Sequence, residues 1–307
     1  MPEPGWEFWI DRGGTFTDVV ACDPQGRLHT HKLLSDNPER YPDAAVEGIR
    51  IALGLGPDEP LPSEAIAAVK MGTTVATNAL LERKGARTLL AITSGLGDAL
   101  RIGYQNRPRL FDRRIELPSM LYEQVVEIGE RVGADGAVLR ELDREQVRSA
   151  LAPARAAGIE AIAIVLMHGW QFPAHERAVA AVAAELGFSQ ISVSHRVSPL
   201  AKLVGRGDTT VVDAYLSPIL RRHVDRIAAT LGPVRLRFMQ SNGGLTDARL
   251  FQGKDAILSG PAGGIVGAAA TSARAGATRI IAFDMGGTST DVAHYAGRFE
   301  RSFETEI

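Results

Sequence analysis

The chain has 307 residues, of which 45% are hydrophobic and 23% charged, a composition that excludes a disordered or collagen-like protein and predicts roughly two globular domains. Its 34 basic and 36 acidic residues leave a formal net charge of -2, which excludes the basic surface typical of proteins that bind nucleic acid or an anionic membrane. A small molecule is therefore the expected partner.

Signals for a cellular compartment are few. The single cysteine, Cys22, excludes an internal disulfide framework and a multi-cysteine zinc site. The N-terminus lacks the basic stretch and apolar core of a secretory signal, and no apolar run reaches the roughly 18 residues of a membrane span. We therefore expect a cytoplasmic protein in which Cys22 is an ordinary strand residue.

Three short strands are predicted at the start of the chain, at residues 8–11, 18–22 and 28–33. The sequence Asp23-Pro-Gln-Gly26 predicts a turn between the second and the third. Strands joined by such short connections pair with their neighbours in opposite directions. The expected result is an antiparallel meander.

Helical and strand patterns follow the meander. One helix is expected to begin near Pro42, and a second is expected to run from about Thr73 to Lys84, with Gly85 as its C-terminal cap. A strand is predicted at residues 87–92. This alternation is typical of α/β proteins.

The middle of the chain contains a long aperiodic stretch. Residues 103–119 show no clear period, which predicts a loop. A strand at 160–167 and a helix at 173–186 come next. Polar residues at 204–208 predict a break before a long helix at 209–231.

We place a domain boundary at that break, which divides the chain into residues 1–205 and 206–307. In the second part, the glycine-rich residues 259–264 precede a helix of small residues expected at 265–275. Each predicted domain contains one copy of the repeat described next.

One eight-residue segment occurs twice in the chain. Asp11-Arg-Gly-Gly-Thr-Phe-Thr-Asp18 matches Asp284-Met-Gly-Gly-Thr-Ser-Thr-Asp291 at six of eight positions. Each copy follows an apolar strand and precedes another apolar segment. Both copies are therefore predicted to form a strand, a glycine turn and a second strand.

The repeated segments contain the residue types that bind polyphosphate. Paired glycines allow the backbone to come close to a ligand, so that successive N–H groups face phosphate oxygens, and threonine hydroxyls add donors. An acidic residue before each turn suits Mg²⁺, which prefers hard oxygen ligands. The candidate nucleotide-binding residues are Gly13, Gly14, Thr15, Thr17, Gly286, Gly287, Thr288 and Thr290, and the candidate catalytic and metal-binding residues are Asp11 and Asp284.

The alternative interpretation of the repeat is two ordinary hairpin turns, because glycine, threonine and aspartate are common turn residues. For one copy the two interpretations are about equally strong. Two matched copies favour ligand binding.

The two segments resemble the phosphate-binding loops of the actin/hexokinase/Hsp70 superfamily, in which two related domains close on ATP. Together with residues 71–82 (MGTTVATNALLE), 239–244 (MQSNGG) and 259–264 (SGPAGG), the first segment is similar to the hydantoinase A/oxoprolinase family. This resemblance extends over essentially the whole chain. Trp9 and residues 102–112 and 121–131 resemble ATP-hydrolysing 5-oxoprolinases more than N-methylhydantoinases or acetone carboxylase subunits.

The resemblance implies an α/β fold of the actin-like ATPases (ribonuclease H-like) with mixed sheets. It also implies ATP and Mg²⁺ as cofactors, and ring opening of a cyclic amide, above all 5-oxo-L-proline to L-glutamate through a phosphorylated amide. A hydantoinase B-like subunit or fused domain is the implied partner, within an oligomer. Because the second segment begins only 23 residues before Ile307, the second domain is expected to be incomplete here and the adenine-binding residues to lie beyond it.

Two further groups of residues are candidates for contact with substrate or phosphate. Thr73, Thr74 and Asn78 are expected at the start of a helix, where N–H and hydroxyl groups meet anions, although simple helix capping explains them equally well. The second group precedes the small-residue helix, where tight packing is the alternative explanation. It comprises Gly260, Gly263 and Gly264.

Arginines and histidines give weaker signals. Arg107 and Arg109 have the guanidinium fork that suits a substrate carboxylate, but arginines in a polar loop are more often solvated. His29, His31 and His168 lack the third ligand or the spacing of a metal site, which favours structural or surface roles.

Three classes of function stay open at this point. The sequence lacks the P-loop, nucleophile-elbow and zincin motifs, which leaves the actin-like interpretation as the stronger one. It is consistent with an ATP-dependent cyclic-amide hydrolase, with a kinase- or carboxylase-type relative, including an N-methylhydantoinase or an acetone-carboxylase-type enzyme, and with a noncatalytic nucleotide-binding module. Fold alone does not choose among them.

Overall fold

A computed structural model describes residues 5–105, 111, 113–114, 117, 119–286 and 290–300. The chain forms two compact units. The first unit consists of Met1–Glu82 together with Leu220–Ile307, and the second unit is Arg83–Ile219. The first unit is therefore assembled from both ends of the chain.

The first unit combines eight strands with short helices. Its elements are β1 (Trp6–Arg12), β2 (Phe16–Cys22), β3 (Leu28–Leu34), α1 (Ala44–Leu53), β4 (Ile66–Thr73), α2 (Val75–Leu81), β11 (Leu236–Met239), β12 (Leu245–Asp247), α8 (Gly253–Ala256), α9 (Ser259–Arg274), β13 (Arg279–Met285) and β14 (Thr290–Ala296). Two 3-10 helices, Ser63–Ala65 and Ala248–Leu250, and the last part of α7 (Leu203–Leu231) also belong to it.

A six-stranded mixed sheet in the order β12-β11-β4-β1-β2-β3 forms the centre of the first unit. Strands β1, β2 and β3 pair antiparallel, which confirms the predicted meander. Strands β1, β4 and β11 run parallel to one another, so their carboxyl ends lie at one edge. The predicted turn is also confirmed: the Gly26 N–H donates to the Asp23 carbonyl at 2.9 Å, and Gly26 has a φ of 82°.

Helix α1 covers the meander at very close range. It begins at Asp43, whose carboxylate accepts hydrogen bonds from the N–H groups of Ala45 and Val46. A Cβ atom on Gly48 would lie 2.5 Å from Cγ2 of Val19 on β2. Glycine therefore allows the helix to pack directly on the sheet.

Replacing Gly48 with alanine is expected to destabilise the protein by about 1–3 kcal/mol, because the new methyl group overpacks the core. Gly267, within α9, is the matched control, since a Cβ there would meet no heavy atom within 4 Å. Alanine at Gly267 is expected to stabilise the helix by about 0.5–1 kcal/mol. Urea midpoints for the two variants measure the difference, and equal midpoints would contradict the packing argument.

The second unit is a parallel α/β sandwich with a small antiparallel hairpin. Its elements are β5 (Thr88–Thr93), α3 (Ala99–Ile102), β6 (Gln124–Ile128), β7 (Arg131–Val132), β8 (Val138–Arg140), α4 (Arg144–Ala156), β9 (Ala161–Val165), α5 (Ala174–Glu185), β10 (Gln190–Val193), α6 (Ser194–Val197) and the first part of α7 (Leu203–Leu231), which continues into the first unit. Strands β7 and β8 pair antiparallel.

The main sheet of the second unit has the order β10-β9-β5-β6 with all strands parallel. Alternate residues of β5 and β9 join two different apolar clusters, one with α4 and α5 and one with α3 and α7. Every residue of β5 and β9 is buried. This burial on both faces explains the continuous apolar runs that predicted these strands.

The predicted polar break at residues 204–208 is wrong, because α7 passes through this stretch without interruption. The reason is the side chain of Arg206, which is fully buried. Its guanidinium donates hydrogen bonds to the carbonyls of Leu166, Met167, Leu200 and Ala201 at 2.6 to 3.1 Å. The sequence around a buried polar residue thus has the polar pattern that is typical of a linker.

Two other expectations need correction. Gly85 does not cap α2, because the helix already ends with Glu82 as its C-cap. A Cβ on Gly85 would lie about 2.0 Å from the Tyr215 ring. Close packing against this ring therefore requires the glycine. The glycine-rich residues 259–264 form the first turns of α9 instead of preceding the helix.

The division into domains 1–205 and 206–307 stays a prediction. Along the chain, one compact unit changes to the other between Glu82 and Arg83 and again between Ile219 and Leu220. The described residues between 103 and 119 contain no helix or strand, in agreement with the predicted loop.

No helix in the described part of the chain has both the length and the apolar character needed to cross a membrane.

Candidate functional site

The two copies of the repeated segment form hairpins with the same register. In the first, β1 pairs with β2 so that Asp11 faces Asp18. In the second, β13 pairs with β14 so that Asp284 faces Asp291. This arrangement confirms the predicted strand, turn and strand in the first copy and the two predicted strands in the second. Gly287, Thr288 and the serine between Thr288 and Thr290 lie outside the described residues.

The first turn is tight, and Gly13 is required for it. The Gly13 N–H donates to the Phe16 carbonyl at 3.0 Å, and a Cβ on Gly13 would lie 2.9 Å from that same oxygen. Gly14 and Thr15 are exposed at the tip of the turn. The backbone there is accessible to a ligand, as a phosphate-binding turn requires.

Ser35, which the sequence patterns did not reveal, holds this turn from the inside. Its hydroxyl donates to the Gly13 carbonyl at 2.7 Å and lies 2.9 Å from the Thr17 hydroxyl, and its N–H donates to the Thr15 carbonyl. Thr17 is completely buried. The structure therefore directs the Thr17 hydroxyl into the protein, where it supports the turn. The one sequence signal for this role of Ser35 is its position directly after the predicted strand that became β3.

The carboxyl ends of β1 and β4 meet at the start of α2. The Thr74 N–H donates to the Arg12 carbonyl at 3.0 Å, and the Thr74 hydroxyl lies 3.3 Å from the same oxygen. The Thr73 hydroxyl accepts from the N–H of Val75, and the Asn78 amide lies 3.4 Å from the Thr74 hydroxyl. Thr73, Thr74 and Asn78 thus lie beside the first glycine turn, and they also stabilise the helix start.

Helix α9 begins at this same edge of the sheet. The Ser259 hydroxyl donates to the Thr73 carbonyl at 2.9 Å. A Cβ on Gly260 would approach the Thr74 side chain at 3.8 Å, and one on Gly263 would approach Met239 at the end of β11 at 3.6 Å, whereas one on Gly264 would meet nothing within 4 Å. Four segments that are far apart in sequence therefore converge at the carboxyl ends of parallel strands, where ligands bind in many α/β proteins.

Asp11 lies in a group of acidic side chains at this edge. Its side chain is exposed, but the surrounding protein partly desolvates the carboxylate and raises its pKa, and the negative charges of Asp18, Asp284 and Asp291 raise it further, with Lys32 opposing them. The pKa of Asp291 is likewise raised, by burial and by Asp284. The fold thus places the two hairpins close enough for their carboxylates to repel, an arrangement that a bound cation would stabilise.

The surroundings of Asp11 fit a magnesium ion that arrives with its ligand. A Cβ on Gly72, its register partner on β4, would lie 3.1 Å from the Asp11 carboxylate, so glycine leaves room there. Within the described residues, no set of three or more histidine, cysteine or acidic side chains could hold a metal ion by itself. Mg²⁺ is typically bound by one or two carboxylates plus phosphate oxygens and water, which this donor set allows.

Asp18 has a different environment from Asp11. The ammonium group of Lys32 on β3 lies 2.8 Å from both of its carboxylate oxygens. Both side chains are more than half exposed, so this ion pair contributes little to stability. Asp18 is thus already paired with a cation.

His223 on α7 is a second residue that the sequence patterns did not reveal. It is buried, and its pKa is lowered to about 4 by burial first and then by the charges of Arg12 and Arg226, with Asp43 opposing them. A histidine inside an otherwise regular helix gives no sequence signal of such a position. Arg12, one of the two arginines whose charge lowers this pKa, belongs to the first repeated segment.

His223 is expected to make the protein less stable in mild acid. The unfolded chain binds a proton at this side chain near pH 6.5 but the folded protein only near pH 4, so its contribution to stability is complete above about 6.5 and is lost as pH falls towards 4. The loss is at most about 3 kcal/mol. Urea midpoints at pH 7 and pH 4.5 should differ less for His223→Gln than for the wild type, and equal differences would contradict this assignment.

Two of the remaining histidine candidates make contacts of a structural kind. Arg107 and Arg109 lie outside the described residues. His29 contacts the Asp23 carboxylate at 3.3 Å, and His168 contacts the Val132 carbonyl at 2.7 Å. The structural roles expected for these two histidines are confirmed.

Comparison with known proteins identifies the family. A family model for the hydantoinase/oxoprolinase N-terminal region matches residues 7–187, and a model for hydantoinase/oxoprolinase matches residues 206–307. The 5-oxoprolinase 1 of Arabidopsis thaliana is 44% identical to this chain, over 98% of this chain and 26% of that protein. The chain thus spans about a quarter of the length of this curated relative.

Two solved structures share the fold. The ATP-dependent caprolactamase from Pseudomonas jessenii superimposes with a TM-score of 0.79 and 33% identity, over 94% of this chain and 43% of that chain. Nucleotide-free acetone carboxylase superimposes with a TM-score of 0.82 and 24% identity, over 96% of this chain and 44% of that chain. The α/β fold with mixed sheets predicted from the sequence is therefore confirmed, and this chain belongs to the hydantoinase/oxoprolinase family.

Proposed function

We propose that this chain is the nucleotide-binding part of an enzyme that uses ATP to open a cyclic amide. The observation that carries the proposal is the pair of Asp-x-Gly-Gly-Thr-x-Thr-Asp hairpins, which have one register and neighbouring carboxylates. The similarity to a 5-oxoprolinase over 98% of the chain supports the reaction class. The similarity to an ATP-dependent caprolactamase supports it independently, since caprolactam is also a cyclic amide.

The proposed nucleotide site uses the backbone of both glycine turns. Gly13 and Gly14 in the first turn, and Gly286 and Gly287 in the second, present N–H groups to the phosphates of ATP. The hydroxyls of Thr15, Thr288 and Thr290 donate to phosphate oxygens, and Thr17 supports the first turn from within. Asp11 and Asp284 hold Mg²⁺, which neutralises charge on the transferred phosphoryl group.

Residues at the same edge are proposed to contact substrate or phosphate. They belong to the start of α2 and to the first turns of α9, whose N-terminal dipole favours an anion. The proposed residues are Thr73, Thr74, Asn78, Gly260, Gly263 and Gly264.

The proposed substrate is 5-oxo-L-proline. An unstrained amide is a poor electrophile, so the γ-phosphoryl group of ATP is transferred to the amide oxygen and ADP is released. Water then adds to the activated carbon and the ring C–N bond breaks, which gives an acyl phosphate, and a second water molecule hydrolyses this acyl phosphate to phosphate and L-glutamate. Because phosphoryl transfer depends mainly on positioning and charge stabilisation, two turns and two carboxylates provide the chemistry that this step needs.

The complete protein is proposed to act with a hydantoinase B-like subunit or fused domain, within an oligomer in the cytoplasm. We keep the functional division at residues 1–205 and 206–307 as part of this proposal. Each part then contributes one glycine turn to the nucleotide site.

A carboxylase-type enzyme is the second candidate function, because the acetophenone carboxylase gamma subunit of Aromatoleum aromaticum is 32% identical over 92% of this chain. The acetone carboxylase structure shows a shared fold alone, since its identity to this chain is 24%. An N-methylhydantoinase-type enzyme and a noncatalytic nucleotide-binding module are the third and fourth candidates. All of them predict ATP binding, so substrate dependence separates them.

The test is ATP hydrolysis by the full-length protein that contains this chain, supplied with its partner polypeptide. Adding 5-oxo-L-proline should stimulate ADP release, with one L-glutamate formed for each ADP. Stimulation by a ketone only with bicarbonate would favour the carboxylase, and stimulation by N-methylhydantoin would favour that relative. ATP binding without turnover on any of these compounds would contradict the amidase proposal and favour the module.

A further inference from the structure

A row of charged side chains crosses the sheet of the first unit just before the first glycine turn. Asp11 on β1 lies opposite Asp18 on β2, and Asp18 lies opposite Lys32 on β3. Residues directly opposite each other in antiparallel strands project from the same face of the sheet, with Cβ atoms about 4.5–5.5 Å apart. Lys32 therefore shares one face of the sheet with Asp11, although the two residues lie on different strands of the meander.

The ammonium group of Lys32 is held next to the glycine turn. It lies 2.8 Å from both carboxylate oxygens of Asp18 and 5.2 Å from the centre of the Phe16 ring. Phe16 closes the turn, because its carbonyl accepts the Gly13 N–H at 3.0 Å. One contact of the ammonium is thus with the charged row and the other with the turn itself.

The Lys32 ammonium keeps one donor for a ligand. An ammonium group carries three N–H donors and accepts no hydrogen bond. The two oxygens of Asp18 take two of these donors, and among the residues that the structure describes no third acceptor lies within hydrogen-bond distance of Lys32 Nζ. The Lys32 side chain is 57% exposed. A ligand on the first turn can therefore reach the remaining N–H.

The charge of Lys32 opposes the carboxylates of the two hairpins. Desolvation and the negative charges of three neighbouring carboxylates raise the pKa of Asp11, whereas the positive charge of Lys32 lowers it. A polyphosphate that approaches this row brings further negative charge. Lysine binds phosphate as a point charge, which would offset this repulsion at the turn.

Lys70 on β4 has the same kind of environment at a greater distance from the turn. Its ammonium lies 2.8 Å from a carboxylate oxygen of Glu7 and 4.5 Å from the centre of the Trp9 ring. Lys70 lies opposite Trp9, two residues before Asp11 along β1. An ion pair and a ring contact therefore occur in both lysines, and position on the sheet distinguishes them.

We propose that Lys32 is a phosphate-binding residue of the nucleotide site: its third N–H donates to an oxygen of the phosphate chain held by the first glycine turn, while Asp18 fixes the ammonium in place. This assignment deepens the proposed function and rests on it. Lys32 supplies one positive charge from β3, in addition to the Mg²⁺ held by Asp11 and Asp284. It contacts ATP and not the cyclic amide.

The test is the dissociation constant of Mg-ATP, measured on the full-length protein with its partner polypeptide. Lys32→Met removes the charge but keeps the length of the side chain, and it should weaken binding about tenfold through loss of a charged hydrogen bond. Lys32→Arg, which keeps a cation, should stay within about threefold of the wild type. The urea midpoint of Lys32→Met should equal that of the wild type, because the ion pair is exposed.

Lys70→Met is the matched control, since it makes the same change of net charge on the same sheet and removes the same kind of ion pair. It should leave the dissociation constant of Mg-ATP unchanged. Equal weakening by Lys32→Met and Lys70→Met would reduce the effect to net charge and overturn the assignment.

The remaining outcomes separate this assignment from the proposed function. Unchanged Mg-ATP binding by Lys32→Met would overturn the assignment while ATP binding by the wild type stands. If that variant also needed more 5-oxo-L-proline for half-maximal ATP hydrolysis, Lys32 would bind the substrate carboxylate instead. No ATP binding by the wild type would overturn the proposed function and the assignment together.

Discussion

Replacing Asp11 or Asp284 with asparagine is expected to lower substrate-dependent ATP hydrolysis about 100- to 1,000-fold, because charge stabilisation supplies most of the catalysis in phosphoryl transfer. Asparagine has nearly the same size and keeps the backbone pairing of Asp11 with Asp18 and of Asp284 with Asp291. The hairpins should therefore fold normally while metal binding weakens. ADP release at saturating 5-oxo-L-proline, measured over a range of Mg²⁺ concentrations, checks this result.

Asp135 provides the matched control for these two substitutions. It lies in an exposed turn of the second unit, where its carboxylate accepts the Ala137 N–H at 3.0 Å. Asp135→Asn should leave the rate within about twofold of the wild type, as expected for a surface change. Full activity of Asp11→Asn would contradict the assigned metal site, and a loss confined to Asp11→Asn would contradict the role of the second hairpin.

Replacing Arg206 with methionine is expected to destabilise the protein by about 3 kcal/mol or more, the largest stability effect that we predict. Arg206 donates to four backbone carbonyls and, through Nε, to the Ser194 hydroxyl at 2.9 Å. Methionine fills similar space but leaves these acceptors unpaired. It also removes the cation that faces the buried carboxylate of Glu176.

Urea denaturation measures this effect, with Arg196→Met as the control. Arg196 lies ten residues earlier in the same unit, and its side chain is exposed. That variant should unfold within about 0.5 kcal/mol of the wild type. Equal midpoints for the two arginine variants would show that the buried hydrogen bonds of Arg206 do not hold the start of α7 in place.

The sequence predicted the glycine hairpins well because their determinants are local. Alternating apolar residues, a glycine pair and flanking threonines specify two strands and a turn without any distant contact. The match between the two copies could be found only by comparing the chain with itself, and the structure then showed that Asp11 pairs with Asp18 as Asp284 pairs with Asp291. The family resemblance rested on the same motif.

Prediction from local sequence patterns failed where a contact with residues distant in sequence decides the structure. Strand β4, the central partner of β1, was not predicted, since Lys70 and Gly72 interrupt its apolar run. Lys70 is tolerated there because its ammonium pairs with Glu7 at 2.8 Å and lies over the Trp9 ring. Neither partner is near Lys70 in sequence, so no window around the strand contains the explanation.

The sequence by itself determined the family, the α/β class, the first glycine turn and the paired strands of both copies, because these follow from short motifs and local periodicity. Only the tertiary structure decided that the Thr17 hydroxyl faces Ser35 inside the protein, that Arg206 is buried within a continuous helix, and that His223 is buried. The physical reason is that burial and hydrogen-bond pairing depend on residues brought together by the sheet and by α7, over separations that no local pattern records.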